Sequence, residues 1–319
     1  MMMRLIPSAR KAVRRRWGLG LVLVPALALA PALAHDPSAE PEARQLFSKV
    51  SGPADLAPRA IGGYTRGCVA GAVELPADGP FHQAMRLSRN RNWGHPELVD
   101  YVEELAQKAH RVAGWPGLLV GDLAQPRGGP MPSSHVSHQI GLDADIWLMP
   151  APPRRYTAEE REELSAVSVI GAKVEVPSGN WKVDPAIWSD GHAEVLKAAA
   201  SDPRVARIFV HPAIKRALCN GAGKDRAWLR KVRPWYGHHN HFHIRLACPP
   251  DSTDCKDQAP PPNGDGCGAA LDWWFTEAPY KKPKGPIRLK PELRMADLPK
   301  ACKAVYEAGQ ATPVPPSPQ

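Results

Sequence analysis

Several familiar signatures are missing from this chain of 319 residues. Its six cysteines form no C-x-x-C pair, which argues against the usual cysteine-ligated zinc sites. No H-E-x-x-H occurs, so the helix-borne glutamate of the common metalloproteases has no counterpart. Ser133, Ser134 and Ser137 lie among histidines, yet no G-x-S-x-G elbow or S-x-x-K surrounds them. That disfavours a serine nucleophile. No internal repeat is visible. The apolar run from about Leu19 to Ala30 is short for a membrane span, and Pro25 and Pro31 interrupt it.

That run instead belongs to a leader. Arg4, Arg10, Lys11 and Arg14-Arg15-Arg16 form a basic n-region, and Ala32-Leu33-Ala34 matches an A-x-A cleavage site. A signal peptide over residues 1–34, cleaved near Ala34, is expected, with a permanent N-terminal anchor as the competing reading. Removing it changes the charge. The whole chain carries 41 basic and 32 acidic residues, or +9; six of the basic residues and none of the acids lie in the leader, which leaves 35 against 32, or +3. A nucleic-acid partner needs a stronger basic patch than that. A mild positive charge suits an anionic polymer such as the cell wall.

All six cysteines follow the leader. An even count in an exported chain reads as disulfides, because the compartment is oxidising. Spacing leaves the connectivity open, although Cys248 and Cys255 could close a small loop. The expected organisation is an irregular lead-in (35–59), a catalytic domain (60–248), a C-terminal extension (249–302) held back by Cys302, and a disordered tail (303–319). Residues 256–266 read as a loop. Leu98, Val102, Leu105 and Ala109 predict a helix over 96–112, with Pro96 in its first turn. Thr157-Ala158-Glu159-Glu160 is a capping box, and Ser189 precedes a third helix. Residues 117–123, 142–148, 205–210 and 241–246 read as strands. Their irregular alternation with helices predicts an α+β fold.

What the chain does contain is two histidine clusters: Ser134-His135-Val136-Ser137-His138, running on to Asp145, and Gly237-His238-His239-Asn240-His241-Phe242-His243. On a strand, side chains alternate faces. His241, His243 and Arg245 then share one face, lining a cleft, while Phe242, Ile244 and Leu246 face the core. Gly141 permits a turn that brings His138 toward a strand carrying Asp143, Asp145 and Trp147 on one face. Neutral imidazoles plus a carboxylate are what a catalytic zinc site uses, three ligands with one position left open. Metal-assisted hydrolysis is the chemistry these residues imply. Asp122 and Asp143 either orient the ligands or cap turns.

The pattern H-x(6)-D followed by H-x-H resembles the zinc signature of the LAS peptidases, the lysostaphin, D-Ala-D-Ala carboxypeptidase and hedgehog group. Longer stretches narrow the likeness: 121–130, 137–146, 207–215, 228–235 and Gly264-Asp265-Gly266-Cys267 are similar to the penicillin-insensitive murein endopeptidases over nearly the whole mature chain. The resemblance implies a fold with a small central antiparallel sheet flanked by helices. It implies zinc (Zn2+) ligands His138, Asp145 and His243, with His135 as a further candidate. It also implies His241 as the catalytic histidine, with His238 beside it, and disulfides Cys68–Cys302, Cys219–Cys267 and Cys248–Cys255. A developing oxyanion needs a positive charge or donors nearby, for which protonated His241 or His238 is one candidate and Arg127, between Pro126 and Gly128-Gly129, the other.

The substrate implied is the D-alanyl–meso-diaminopimelate cross-link between peptidoglycan stem peptides, cleaved in the periplasm without a serine acyl intermediate. Rival readings are a D,D-carboxypeptidase or an L,D-endopeptidase on the same scaffold, or a zinc-containing wall-binding module without turnover. Trp93, Trp181, Trp235, Tyr236, Trp273 and Trp274 invite glycan or peptide contact as well as core packing, with Trp235-Tyr236 nearest the histidines.

Overall fold

The computed structural model describes residues 40–133, 135–171, 180–281, 285 and 291–310. The expected leader, Ser134 and the end of the tail beyond 310 lie outside them. No described helix is long and apolar enough to cross a membrane.

The described residues form an α+β fold. A hairpin of β1 (Arg59–Gly63) and β2 (Arg66–Ala70) opens the order of strands. Next come β3 (Val73–Glu74), β4 (Asp78–Gly79), β5 (His82–Ala84), β6 (Trp93–Gly94) and β7 (Leu118–Val120). They are followed by β8 (Asp143–Trp147), β9 (Val205–Val210), β10 (Val232–Pro234) and β11 (His241–Leu246). The main sheet runs β10-β9-β11-β8-β7-β5-β4. It is larger than the expected small antiparallel sheet, and it is mixed. The inner ladders β9–β11, β11–β8 and β8–β7 are antiparallel, while β10 joins β9, and β5 joins β7, in parallel.

Strand β11 sits near the middle because both its faces find cover. Phe242, Ile244 and Leu246 are fully buried in the main core, each stabilising the fold by roughly 1.5–3 kcal/mol. The other face is also largely closed, since His243 and Arg245 are buried and only His241 remains partly accessible.

Helices brace this sheet. Helix α1 spans Ala43–Phe47, α2 Pro96–Ala113, α3 Ala158–Glu163, α4 Asp190–Ser201, α5 Pro212–Gly221, α6 Ala269–Asp272 and α7 Ala301–Glu307. In α2, Leu98, Val102, Leu105 and Ala109 bury one stripe against the core. The His95 side chain accepts from the Glu97 amide at the start, and Gly114 in the left-handed region ends the helix. The Thr157–Glu160 capping box opens α3 as expected, and α4 begins after Ser189. Tyr101 of α2 donates to the Ala199 carbonyl of α4.

The lead-in is more ordered than its composition suggests. Phe47 of α1 packs with Ile61, Leu298 and Val305 in a second core beside β1 and β2. Disulfides join Cys68 to Cys302, Cys219 to Cys267 and Cys248 to Cys255.

Candidate metal centre

The centre is built by strand register. On the β8–β11 ladder Asp145 lies opposite His243, and Asp143 opposite Arg245. Directly opposed residues share a sheet face, so the pairing alone collects two carboxylates, an imidazole and a guanidinium. His243 Nδ1 lies 3.0 Å from Asp145 Oδ1, and its Nε2 3.1 Å from Asp143 Oδ1. Arg245 grips the Asp143 carboxylate through Nε at 2.8 Å and Nη2 at 3.1 Å.

The loop before β8 adds His138. Its backbone takes a left-handed conformation (φ 67°), as does that of Gly141 (φ 71°). The glycine is required there, because a Cβ would come within 2.8 Å of the His95 amide nitrogen. A histidine at positive φ is a strained choice, of the kind concentrated at functional sites. The His138 amide donates to Asp143 Oδ2 at 3.0 Å, which holds the turn. Asp143 is fully buried. Although burial opposes its charge, Arg245 and His243 hold its carboxyl well below the usual carboxylate range.

The side chains converge on Asp145. His138 Nε2 lies 3.5 Å from Asp145 Oδ1, and His135 Nδ1 lies 3.8 Å from Oδ2. Ligand atoms of His135, His138 and Asp145 all fall within 4.8 Å of one another. The His138 and His243 rings are 4.6 Å apart between centroids. Both His138 ring nitrogens, Asp145 Oδ1 and His243 Nε2 are buried without a hydrogen-bond partner. The short His243 contacts lack the alignment of hydrogen bonds. An unpaired buried polar atom costs about 1–3 kcal/mol, so four together are unfavourable for a protein alone. One nitrogen each from His135 and His138 and one Asp145 oxygen lie close enough together to hold a metal ion, while the unpartnered His243 Nε2 lies beside Asp143.

Two more histidines adjoin this group. His241 Nε2 is 3.9 Å from Asp145 Oδ1, while its Nδ1 lies 2.7 Å from Asn240 Oδ1. Asn240 Oδ1 only accepts, so the proton sits on Nδ1 and Nε2 presents a lone pair. The His238 ring centroid is 4.9 Å from that of His241, and its Nδ1 donates to the Tyr236 carbonyl. Burial, with His241 and His243 alongside, pulls the His238 pKa down to about 4.

The structure therefore brings together His135, His138, Asp145, His238, His241 and His243. It does not bring Arg127. That side chain is buried, and its guanidinium donates to the carbonyls of Gly52, Val305, Tyr306, Ala308 and Gly309. The expectation of an oxyanion cation there is corrected: Arg127 anchors the last helix. Sequence reasoning also passed over Arg91, which donates to Asp122 Oδ2 at 2.8 Å while His135 Nε2 lies 3.2 Å from the same oxygen. It passed over Phe209 too, whose ring centroid is 5.4 Å from that of His243. Neither residue type carries a signal of its own; only the strand register and a long-range contact place them.

Comparison with known proteins places the sequence in a family. The sequence profile of the family described as penicillin-insensitive murein endopeptidase matches residues 60–307. A protein of that name from Haemophilus influenzae is 49% identical over 219 residues, covering 67% of this chain and 72% of its own. One from Yersinia enterocolitica is 39% identical over 293 residues, 92% of this chain and 98% of its own. One from Klebsiella pneumoniae is 41% identical over 261 residues, 82% and 90% respectively. With a profile match over residues 60–307 and relatives of this identity over most of their length, the chain belongs to the penicillin-insensitive murein endopeptidase family.

Proposed function

We propose that this chain is a zinc-dependent murein endopeptidase that hydrolyses the D-alanyl–meso-diaminopimelate cross-links of peptidoglycan in the periplasm. The gathering of His135, His138 and Asp145 within 4.8 Å, with unpartnered buried atoms on His138, Asp145 and the adjoining His243, carries the reading. In this account His138, Asp145 and His243 hold the ion, His135 offers a further nitrogen at its more exposed side, and the scaffold is that of the LAS peptidases. Residues 60–248 form the catalytic domain and 249–302 a disulfide-stapled extension.

Bound zinc supplies Lewis acidity to a carbonyl and makes an adjacent water more acidic. The remaining chemistry belongs to the chain. His241 Nε2 takes the proton as the water oxygen bonds to the scissile carbon, then returns it to the amine nitrogen as the C–N bond breaks. Asn240 fixes the tautomer that this requires. Asp143 and Arg245 hold His138 and His243 in place. His238, neutral at pH 7, donates through its second nitrogen only after gaining a proton, so it serves as a reserve for proton traffic. No serine acylates, so β-lactams have nothing to trap.

The test is digestion of purified cross-linked muropeptide dimers with zinc, with chelator, and with zinc restored, read by mass spectrometry. Chelator-sensitive conversion of dimers to monomers in the presence of penicillin is expected. Intact dimers beside stoichiometric zinc would overturn the reading. Trimming of monomers alone would move the bond to a carboxypeptidase site.

A further inference from the structure

An aromatic shelf runs outward from the metal cluster. Phe209 lies 5.4 Å from His243 and 5.9 Å from Trp235 between ring centroids. Trp235 meets Tyr236 at 5.9 Å and Trp274 at 6.1 Å, and Trp274 meets Trp273 at 5.3 Å. The shelf is braced from behind, where Tyr236 Oη donates to the Pro279 carbonyl and Tyr280 Oη to the Trp274 carbonyl. Its outer rings are nonetheless open: Trp235, Tyr236 and Trp273 are 49, 46 and 46% exposed. Among the described tryptophans Trp93, Trp115, Trp147, Trp181, Trp228 and Trp274 are only 6–8% exposed and Trp188 is half-buried, so open rings such as Trp235 and Trp273 are the exception. Three exposed rings clustered around one buried ring, Trp274, form an apolar surface of the kind that marks binding sites.

The chemistry of the shelf selects among ligands. Its rings carry no formal charge, and the neighbouring acid Asp272 is taken by Arg216 at 2.8 Å. An anionic stem peptide would want guanidinium or ammonium partners, and the guanidiniums of Arg207 and Arg245 lie over Phe209 at the inner end of the shelf, beside the histidines. A pyranose ring presents an apolar face of C–H bonds and a polar rim, which matches a flat indole with water at its edge. We infer that Trp235, Tyr236 and Trp273 bind the sugar rings of the peptidoglycan glycan strand, holding the polymer while its peptide bridge reaches the histidines. This rests on the endopeptidase reading for its substrate, but saccharide binding can be measured without turnover.

The experiment has two arms, both with the mature full-length chain. In the first, tryptophan fluorescence is followed during titration with an N-acetylglucosamine hexamer. A saturable change that Trp235→Ala and Trp273→Ala each weaken by about tenfold is expected, with Trp235→Phe retaining most of it. No change up to millimolar oligosaccharide, or a change indifferent to both alanine variants, would overturn the inference. In the second arm, kcat/KM is compared for cross-linked dimers attached to glycan and for the same dimers stripped of sugar. The ratio of the two should fall about tenfold in each alanine variant, through KM. Equal losses on both substrates would assign the shelf to the peptide instead and reject it as a glycan site. If the wild type cleaves neither substrate, the endopeptidase reading fails, and the titration still decides the shelf.

Discussion

Asp145 and His243 stand opposite each other on neighbouring antiparallel strands, with Oδ1 and Nδ1 3.0 Å apart. One register step in either strand would turn one of them to the other face. The pair is therefore as rigid as the sheet that carries it. His138 is different, since it reaches the same point from a loop, its own amide donating to Asp143 Oδ2 and the neighbouring Gln139 tied to Tyr64, Thr65 and Gly67.

Metal content should separate these roles. Asp145→Asn and His243→Ala are expected to lose zinc and turnover together. Asp143→Asn should weaken zinc by about 10–100-fold without removing a ligand, as orienting partners do. Inductively coupled plasma mass spectrometry against activity checks all three. Full zinc occupancy in His243→Ala would reject it as a ligand.

His241 should behave otherwise. His241→Ala is expected to keep stoichiometric zinc while turnover drops by roughly 10²–10⁴-fold, the usual contribution of a positioned acid–base group. Asn240→Ala, which frees the tautomer, should lower kcat more modestly with KM little changed. Turnover near wild type in His241→Ala would give the proton transfer to another residue.

Arg127 offers a contrast with the residues proposed to act in catalysis. Arg127→Met leaves the carbonyls of Val305, Tyr306 and Ala308 without their donor. A loss of about 2–4 kcal/mol in unfolding free energy is expected, with kcat retained below the melting transition. Chemical denaturation monitored by circular dichroism measures the first and turnover at low temperature the second. A specific fall in kcat with unchanged stability would return Arg127 to the active site.

The acid limb of stability has a candidate away from the metal. Asp202 accepts from Arg204 Nε at 2.9 Å and Nη2 at 2.9 Å, and from Lys108 at 3.2 Å. Arg204 first of all holds its carboxyl well below the ordinary carboxylate range, against the effect of burial. Its folded pKa is thus lower than its unfolded value of about 3.9. The resulting stabilisation is complete above the unfolded pKa and fades as pH falls through the folded one. Asp202→Asn should lower the melting temperature at pH 6 and flatten its decline toward pH 3. Parallel curves for the two proteins across that range would dismiss the linkage.

Much of this site was legible because its physics is local. Alternation along 241–246 placed His241 and His243 on one face, and Gly141 marked the turn before Asp145. Helix α2 announced itself by apolar spacing and Pro96. What could not be read were contacts whose partners leave no side-chain signature. Arg127 binds main-chain carbonyls nearly two hundred positions away, and carbonyls belong to every residue type. Parallel pairing of the short strands β5 and β10 was equally hidden, because two or three residues are too few to show a period. Phe47 lay in a stretch of irregular composition, where a single buried ring makes a helix worthwhile only once α7 covers it.

The tie between Cys68 and Cys302 spans a sequence separation of 234, and the carbonyls gripped by Arg127 follow immediately after. Helix α7 thus covers residues synthesised more than two hundred positions earlier. A chain emerging N-terminus first holds an unmatched Cys68 thiol and an uncovered Phe47 until α7 arrives. The second core therefore closes only when both ends of that span are present, and a chain ending before residue 302 would leave Cys68 unpaired and Phe47 and Ile61 without Leu298 and Val305 to cover them.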